Sequence, residues 1–155
     1  RLEEVLGLQP ENIDIDRMEI HVRRAVTHPN RNQPEIKDTK TGGSKRTIAL
    51  SAAALPYLCM DGGRFLFGGD KPLSYTQVRR MCNRIKKDLK FEENITPIRF
   101  RTTVLTDLYE QTGDIKLAQK EAGHTTPAMT LKYYVKGRKT SEDAAIAIER
   151  VYTAS

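Results

Sequence analysis

Apolar residues recur at helical spacing in the middle of the chain. Five of them, at i, i+3, i+4, i+7 and i+11, form one continuous stripe: Val78, Met81, Cys82, Ile85 and Leu89. This spacing predicts an amphipathic helix, and Ser74 with Gln77 three residues later predicts its N-terminus as a capping box. The opposite face is polar and basic, with Thr76, Arg79 and Arg80. Such a face can be solvated or can lie in a DNA groove, and the helix taken alone favours the solvated interpretation.

Alternating apolar and polar residues predict strands in the first third of the chain. The alternation runs from 13 to 26. Residues 29–34 have the composition of a loop, and two short β-like runs follow at 36–41 and 45–50. The Gly-Gly-Ser sequence at 42–44 predicts a hairpin turn between these runs, so we expect a small antiparallel sheet of three strands.

Short helices are predicted for the remaining apolar patterns. They fall at 1–8, 51–60, 100–112, 115–122, 127–133 and 141–152. Asp114 is a predicted N-cap, Gly123 a predicted C-terminal stop, and Thr126-Pro127 is typical of a helix start. The predicted fold class is mainly α with a small three-stranded antiparallel β-sheet, in one domain over residues 1–155. Because the chain opens inside a helical pattern, we expect it to be the C-terminal part of a longer protein, without its N-terminal domains.

Positive charge is concentrated in two segments. The net charge is +6, and residues 16–48 carry 8 Lys/Arg against 4 Asp/Glu, while residues 79–101 carry 8 against 3. Such blocks suit a polyanionic partner better than a uniformly solvated surface does, although two solvated faces are the ordinary alternative. No apolar run reaches the roughly 18 residues of a membrane span. Cys59 and Cys82 lack metal-ligand spacing, and we interpret both as reduced core residues of a cytoplasmic protein.

The stretch from Ile98 to Tyr134 carries the candidate chemistry. Arg101 is followed 23 residues later by His124 and nine residues after that by Tyr133. Arginine and histidine can bind a phosphate, and a tyrosine can attack one. Metal-free cleavage of a phosphodiester needs such a nucleophile, cations for the developing negative charge, and a proton donor for the leaving oxygen. The chain has no P-loop, no paired metal carboxylates, no Gly-x-Ser-x-Gly and no Cys/His cluster, so we expect neither a metal nor a cofactor.

Four motifs, in order, resemble those of the tyrosine recombinase catalytic domain, also called the phage integrase domain. They comprise Arg1 with Glu4, Leu8 and Asn12-Ile13-Asp14; Thr39-Lys40-Thr41 with Arg46-Thr47-Ile48-Ala49-Leu50; Thr96-Pro97 with Arg101; and Ala122-Gly123-His124 with Tyr133. The resemblance covers nearly the whole chain, and four motifs in the family order are far more specific than any one of them.

The resemblance implies a catalytic role for five residues. Arg1 and Arg101 would clamp the scissile phosphate, and His124 would hydrogen-bond one of its non-bridging oxygens. Lys40 would protonate the 5′ leaving oxygen while Tyr133 forms a 3′-phosphotyrosyl link. Because that link conserves the bond energy, religation would need no ATP. The implied function is site-specific recombination or integration of a phage or another mobile element.

The resemblance also implies how the chain would meet its partner, double-stranded DNA. It places the amphipathic helix in the major groove, which makes Thr76, Arg79 and Arg80 predicted DNA contacts. Lys45 and Arg46, at the end of the basic hairpin, are predicted to contact DNA as well. Assembly into a tetramer on DNA, through the C-terminal helix, is a further implication, and no membrane is involved.

One position departs from the family pattern. Ile98 stands where the family usually has His, and an isoleucine cannot donate to a phosphate oxygen or shuttle a proton. Losing one such contact costs about 10–1000-fold in rate. Its neighbour Arg99 is expected to point elsewhere. A DNA-binding module that has lost cleavage is therefore a second interpretation, and a type IB topoisomerase-like enzyme is a third.

Each candidate side chain also has an ordinary interpretation when taken singly. Tyr133 and Tyr134 can be packing aromatics, and His124 can be a helix-end residue. Lys40 and Lys45 can be solvated charges of a hairpin. Only their matched order favours the catalytic interpretation.

Overall fold

A computed structural model describes residues 1–30, 33–38, 45–134 and the single positions 146 and 149. In order, these ranges form α1 (Leu2–Leu6), β1 (Ile13–Asp14), β2 (Glu19–Val22), β3 (Arg24–Asn30), β4 (Gln33–Asp38), β5 (Arg46–Ala49), α2 (Tyr75–Asp88), α3 (Pro97–Thr112), α4 (Ile115–Ala122) and α5 (Pro127–Tyr134). Short 3-10 turns lie at Pro10–Asn12 and Ala52–Tyr57. The predicted class, mainly helical with small antiparallel sheets, is confirmed. The helix predicted at 141–152, apart from positions 146 and 149, and the turn predicted at 42–44 lie outside the described residues.

The strands pair differently from the predicted hairpin. β2 is the central strand of a three-stranded antiparallel sheet, with β1 and β5 on its two sides. β3 and β4 form a separate antiparallel pair in which Val26 lies opposite Ile36. The predicted pairing of 36–41 with 45–50 is therefore wrong, because each run pairs with an earlier strand. Val26 is 0% exposed, so β3 lies in the core, whereas Ile36, opposite it on β4, is 41% exposed.

The predicted loop at 29–34 is shorter than expected. Pro29 lies at the end of β3 and Pro34 lies in β4. The register of the pair is irregular between Thr27 and Asn30, and a proline, which has no N–H to donate, is tolerated at such an irregularity.

Capping residues set the ends of the helices as the sequence predicts. Ser74 caps α2, with its Oγ accepting from Gln77 N at 3.3 Å. Asp114 caps α4 through bonds to two backbone N–H groups, and Gly123 ends that helix in the left-handed region at φ 62. Helix α3 begins three residues earlier than predicted, because Thr96 caps it and a proline fits the first helical position.

The apolar stripe of α2 is largely exposed. Only Cys82 is buried, whereas Met81 is 52% exposed and Leu89 is 62% exposed. Val104 of α3 is 64% exposed. Periodicity predicts which face of a helix is apolar but not how much of that face is covered, and here only the part around Cys82 is buried. Cys59 is exposed as well, so its assignment to the core is wrong.

Two packed regions meet beside the end of α4. α1 packs on β3, where Leu6 and Val26 are buried. α3, α4 and α5 pack on one another around Leu105 and Ala122. A hydrogen bond from Ala49 N to Glu121 Oε2, at 3.1 Å, ties α4 to β5. The N-terminus of α1, the start of β5 and the C-terminus of α4 are thereby brought together.

The described helices are all too short or too polar to cross a membrane.

Candidate active site

Two arginines are anchored on consecutive carbonyl groups at the end of α4. Arg101, in the second turn of α3, donates from Nη2 to the carbonyl oxygen of Ala122. Arg1 donates from Nη2 to the carbonyl oxygen of Gly123 at 2.6 Å. The last carbonyls of a helix lack helical partners and carry partial negative charge, so they suit guanidinium groups. The two predicted phosphate clamps therefore lie side by side.

His124 follows this turn directly and is held from both sides of its ring. Its Nε2 lies 3.4 Å from Nη2 of Arg101, and its Nδ1 lies 3.1 Å from Oγ1 of Thr130. Thr130, on α5, is fully buried. Gln119 adds a bond from its Nε2 to the His124 carbonyl oxygen at 3.1 Å. The guanidinium group of Arg101 can only donate, so in this contact Nε2 accepts and Nδ1–H donates to the Thr130 hydroxyl. Donation from Nε2 to a phosphate oxygen requires the other tautomer, in which Nδ1 accepts from that hydroxyl.

The surroundings favour a neutral imidazole. Burial lowers the pKa of His124 below its ordinary value, and the positive charges of Arg101, Arg1 and Arg46 lower it further. Burial and neighbouring cations both penalise the charged form of a histidine. At neutral pH the ring is therefore a hydrogen-bonding group rather than a fixed cation.

One buried carboxylate lies among these cations. Glu4 accepts from Arg46 through both of its oxygens, at 2.9 Å and 2.8 Å, and from Nη1 of Arg1 at 3.0 Å. Burial raises the pKa of Glu4, but the hydrogen bonds from Arg46 and the positive charges of Arg46 and of the α-ammonium group of Arg1, which also donates to Glu4, outweigh it and bring that pKa to about 2. Three guanidinium groups against one carboxylate leave two positive charges in excess, which suits an anion.

Arg46, which the sequence predicted as a DNA contact, is largely buried in the structure. Its side chain is 12% exposed, and both terminal nitrogens bond to Glu4. Sequence reasoning also did not assign roles to Glu4 and Thr130. Glu4 carried a signal, since it stands three residues after Arg1 in the first motif. Thr130 carried none, because only the fold brings it to the histidine.

A protein-family model matches the part of the chain that contains these site residues. The model described as the phage integrase family matches residues 1–140. The chain belongs to the phage integrase family. A tyrosine recombinase of Agathobacter rectalis is 40% identical over 63 residues, which are 41% of this chain and 21% of that protein. The tyrosine recombinase XerC of Leptospira interrogans is 35% identical over 69 residues, 44% of this chain and 22% of that protein. The chain thus matches about a fifth of the length of these curated relatives.

A solved member shares the fold. The Tn1549 transposon integrase, in complex with a circular intermediate DNA, matches with a TM-score of 0.76 and 24% identity, over 97% of this chain and 54% of that chain. An identity this low shows a common fold and leaves the site to be argued from this chain's own residues.

Of the five family positions predicted to be catalytic, the structure brings three together: Arg1, Arg101 and His124. Lys40 lies outside the described residues. Tyr133 lies in α5, in the turn after Thr130, and its side chain is outside the described part.

The position that departs from the family pattern is open to solvent. Ile98 lies in the first turn of α3 and is 62% exposed. Arg99 points to Glu93, with which it forms an ion pair, so the prediction that it lies away from the site is confirmed.

The remaining predicted DNA contacts lie on the surface. Lys45 precedes β5 and is exposed, as are Arg79 and Arg80 on α2, while Thr76 is half-buried. The N-terminus of α2 is joined to α1 by Tyr75, whose hydroxyl donates to Glu3 Oε1 at 2.9 Å.

Proposed function

We propose that this chain is the catalytic domain of a site-specific DNA recombinase, which cuts and rejoins DNA through a 3′-phosphotyrosyl intermediate. The observation that carries the proposal is the gathering of Arg1, Arg101 and His124 around the turn at Gly123. Guanidinium groups anchored on backbone carbonyls are preorganised donors for the oxygens of a phosphodiester, and such preorganisation is the largest contribution to catalysis of this kind.

In the proposed reaction, each of the five predicted catalytic residues has one role. The hydroxyl oxygen of Tyr133 bonds to phosphorus as the bond from phosphorus to the 5′ oxygen breaks. Lys40 gives a proton to that 5′ oxygen, and the phenol proton passes to solvent. Arg1, Arg101 and the neutral ring of His124, in the tautomer that carries its proton on Nε2, donate to the non-bridging oxygens, where charge accumulates. Religation runs the same steps in reverse, so no ATP is consumed.

The proposed partner is double-stranded DNA, met by the exposed basic residues of α2 and by Lys45. Each such residue that neutralises a phosphate contributes to affinity and to its salt dependence. The match to 54% of the Tn1549 integrase chain supports a place for this domain inside a longer recombinase. Assembly on DNA through residues 141–152 is part of the proposal, and apart from positions 146 and 149 these residues lie outside the described part.

One observation favours a second function, a DNA-binding module on the same scaffold that does not cleave. Ile98 places an apolar side chain where the family pattern has a proton donor. Retention of Arg1, Arg101, His124 and Tyr133 favours the recombinase.

The test uses nicked DNA from the ends of the genetic element that encodes the protein. A nick beside the cleavage position traps the covalent intermediate, which survives SDS. We expect an adduct with the unaltered protein and with Tyr134→Phe, and none with Tyr133→Phe, whose DNA affinity stays within about threefold. If the two tyrosine variants give the opposite results, the nucleophile is Tyr134. DNA binding without any adduct would establish the second function, and Ile98→His would then be expected to restore cleavage.

A further inference from the structure

Arg46 and Glu4 form a buried ion pair at the centre of the site. The guanidinium group makes two hydrogen bonds to the carboxylate, at 2.9 Å and 2.8 Å, and the side chains are 12% and 7% exposed. This is the two-pronged geometry in which an arginine is most specific for a carboxylate. Both terminal nitrogens of Arg46 are therefore engaged inside the protein.

The same carboxylate orients Arg1. Glu4 Oε1 accepts from Nη1 of Arg1 at 3.0 Å, while Nη2 of Arg1 reaches the Gly123 carbonyl oxygen at 2.6 Å. The Arg1 side chain is 43% exposed, so it faces outward far more than Arg46 does. If Glu4 had Arg1 as its single cation, it would cancel the charge that a phosphate needs. With Arg46 as the second cation, Glu4 fixes the direction of Arg1 and one net positive charge remains.

Arg46 also lies against the turn that carries the rest of the site. A β-carbon added to Gly123 would lie 2.6 Å from both Cζ and Nε of Arg46, which is closer than atoms can approach. Nε of Arg46 is buried and, among the described residues, has no hydrogen-bond partner. The position of the guanidinium group is therefore fixed by its contact with Gly123 and by its pair with Glu4. The turn at Gly123 in turn positions Arg1, Arg101 and His124.

We propose that Arg46 is a positioning residue of the cleavage reaction, which balances the charge of Glu4 and supports the turn at Gly123 so that Arg1 and His124 meet the phosphate. It acts without touching DNA. This inference rests on the proposed function, and it replaces the assignment of Arg46 to the DNA surface.

The test separates catalysis from binding. Cleavage rate at saturating nicked DNA and DNA affinity are measured for Arg46→Lys and Arg46→Gln, well below the lowest melting temperature of the set. We expect the rate to fall about 10-fold for lysine, which keeps the charge but loses the fork, and about 100-fold for glutamine. The dissociation constant should stay within about threefold, and the salt slope of binding should not change. A residue with a purely structural role would leave the rate of the folded protein unaltered.

Matched variants make the outcomes distinct. Arg17→Gln changes an arginine that is 77% exposed and should leave the rate unchanged. The double variant Glu4→Gln with Arg46→Gln contains no unpaired buried charge, so it should fold and should cleave faster than Arg46→Gln alone. A fall of about one in the salt slope would show that Arg46 contacts a phosphate and would overturn the inference. An unaltered cleavage rate in Arg46→Gln would also overturn the inference. If the unaltered protein gives no adduct, the proposed function fails and this inference fails with it.

Discussion

The turn at Gly123 and helix α2 are both rich in basic side chains, but the chain holds those side chains in opposite ways. At the turn, arginines from α1, β5 and α3 bond to carbonyl oxygens and to one buried carboxylate. On α2, Arg79 and Arg80 are exposed, and the apolar stripe beside them is largely exposed too. Fixed cations suit a reaction, in which donors must already be placed where charge develops. Exposed cations suit affinity that varies with salt.

The largest effect is expected at the turn. Arg101→Ala should lower the cleavage rate by about 1000-fold, because it removes a donor that is already in place for the phosphate oxygens. Arg99→Ala is the matched control on the same helix, where the arginine pairs with Glu93 on the surface, and it should change the rate by less than about threefold. Single-turnover cleavage of nicked DNA measures both. Equal losses for the two variants would contradict the separation of fixed and exposed cations.

The second-largest effect is expected from a comparison of two glycines, Gly123 and Gly113. Gly123→Ala should lower the free energy of unfolding by about 2–4 kcal/mol, because the new methyl group meets Arg46 at 2.6 Å and the backbone is left-handed. Gly113 has nearly the same backbone, with φ +66, and no neighbour within 4 Å of an added β-carbon. Gly113→Ala should therefore cost only about 1 kcal/mol. Urea denaturation compares them, and similar costs would mean that Arg46 does not lie against the turn.

The buried carboxylate predicts a pH effect on stability. The pKa of Glu4 is about 2 in the folded protein and 4.5 in its ordinary state. Its stabilising contribution is therefore complete above about pH 4.5 and is lost as the pH falls towards 2. The difference in unfolding free energy between the unaltered protein and Glu4→Gln should shrink by on the order of 2 kcal/mol across that range. A difference that stays constant with pH would show that Glu4 is not held as a paired anion.

The smallest effect is expected on α2. Met81→Gln should change the free energy of unfolding by less than about 0.5 kcal/mol, because its side chain lies half in solvent. Cys82→Ser, one residue further and buried, should cost about 1–3 kcal/mol. Thermal unfolding of the two variants makes the comparison. A loss above about 1.5 kcal/mol for Met81→Gln would mean that the stripe is covered.

Local chemistry allowed several elements to be predicted from the sequence. Helix α4 lies where Asp114 and Gly123 place it, because a cap and a left-handed glycine act within a few residues. The membership of Arg1, Arg101 and His124 in one site followed from the order of the motifs. Each of these inferences depended on short spacings or on a family pattern.

Long-range packing decided what the sequence could not show. The pairing of β4 with β3 could not be predicted from local pattern, and neither could the exposure of Met81 next to the buried Cys82. Arg46 has the composition and neighbours of a DNA-contacting hairpin residue, and only the position of Glu4 in space draws it inward. The contact between Thr130 and His124 likewise depends on the fold and not on local sequence.

The most direct test of the account is the location of the covalent bond. The SDS-resistant adduct would be digested with nuclease and protease, and the modified residue identified by fragmentation in a mass spectrometer. The account predicts a 3′-linked nucleotide on Tyr133, formed at a rate that depends on Arg1 and Arg101. A nucleotide on any other residue, or DNA binding without an adduct, would contradict it.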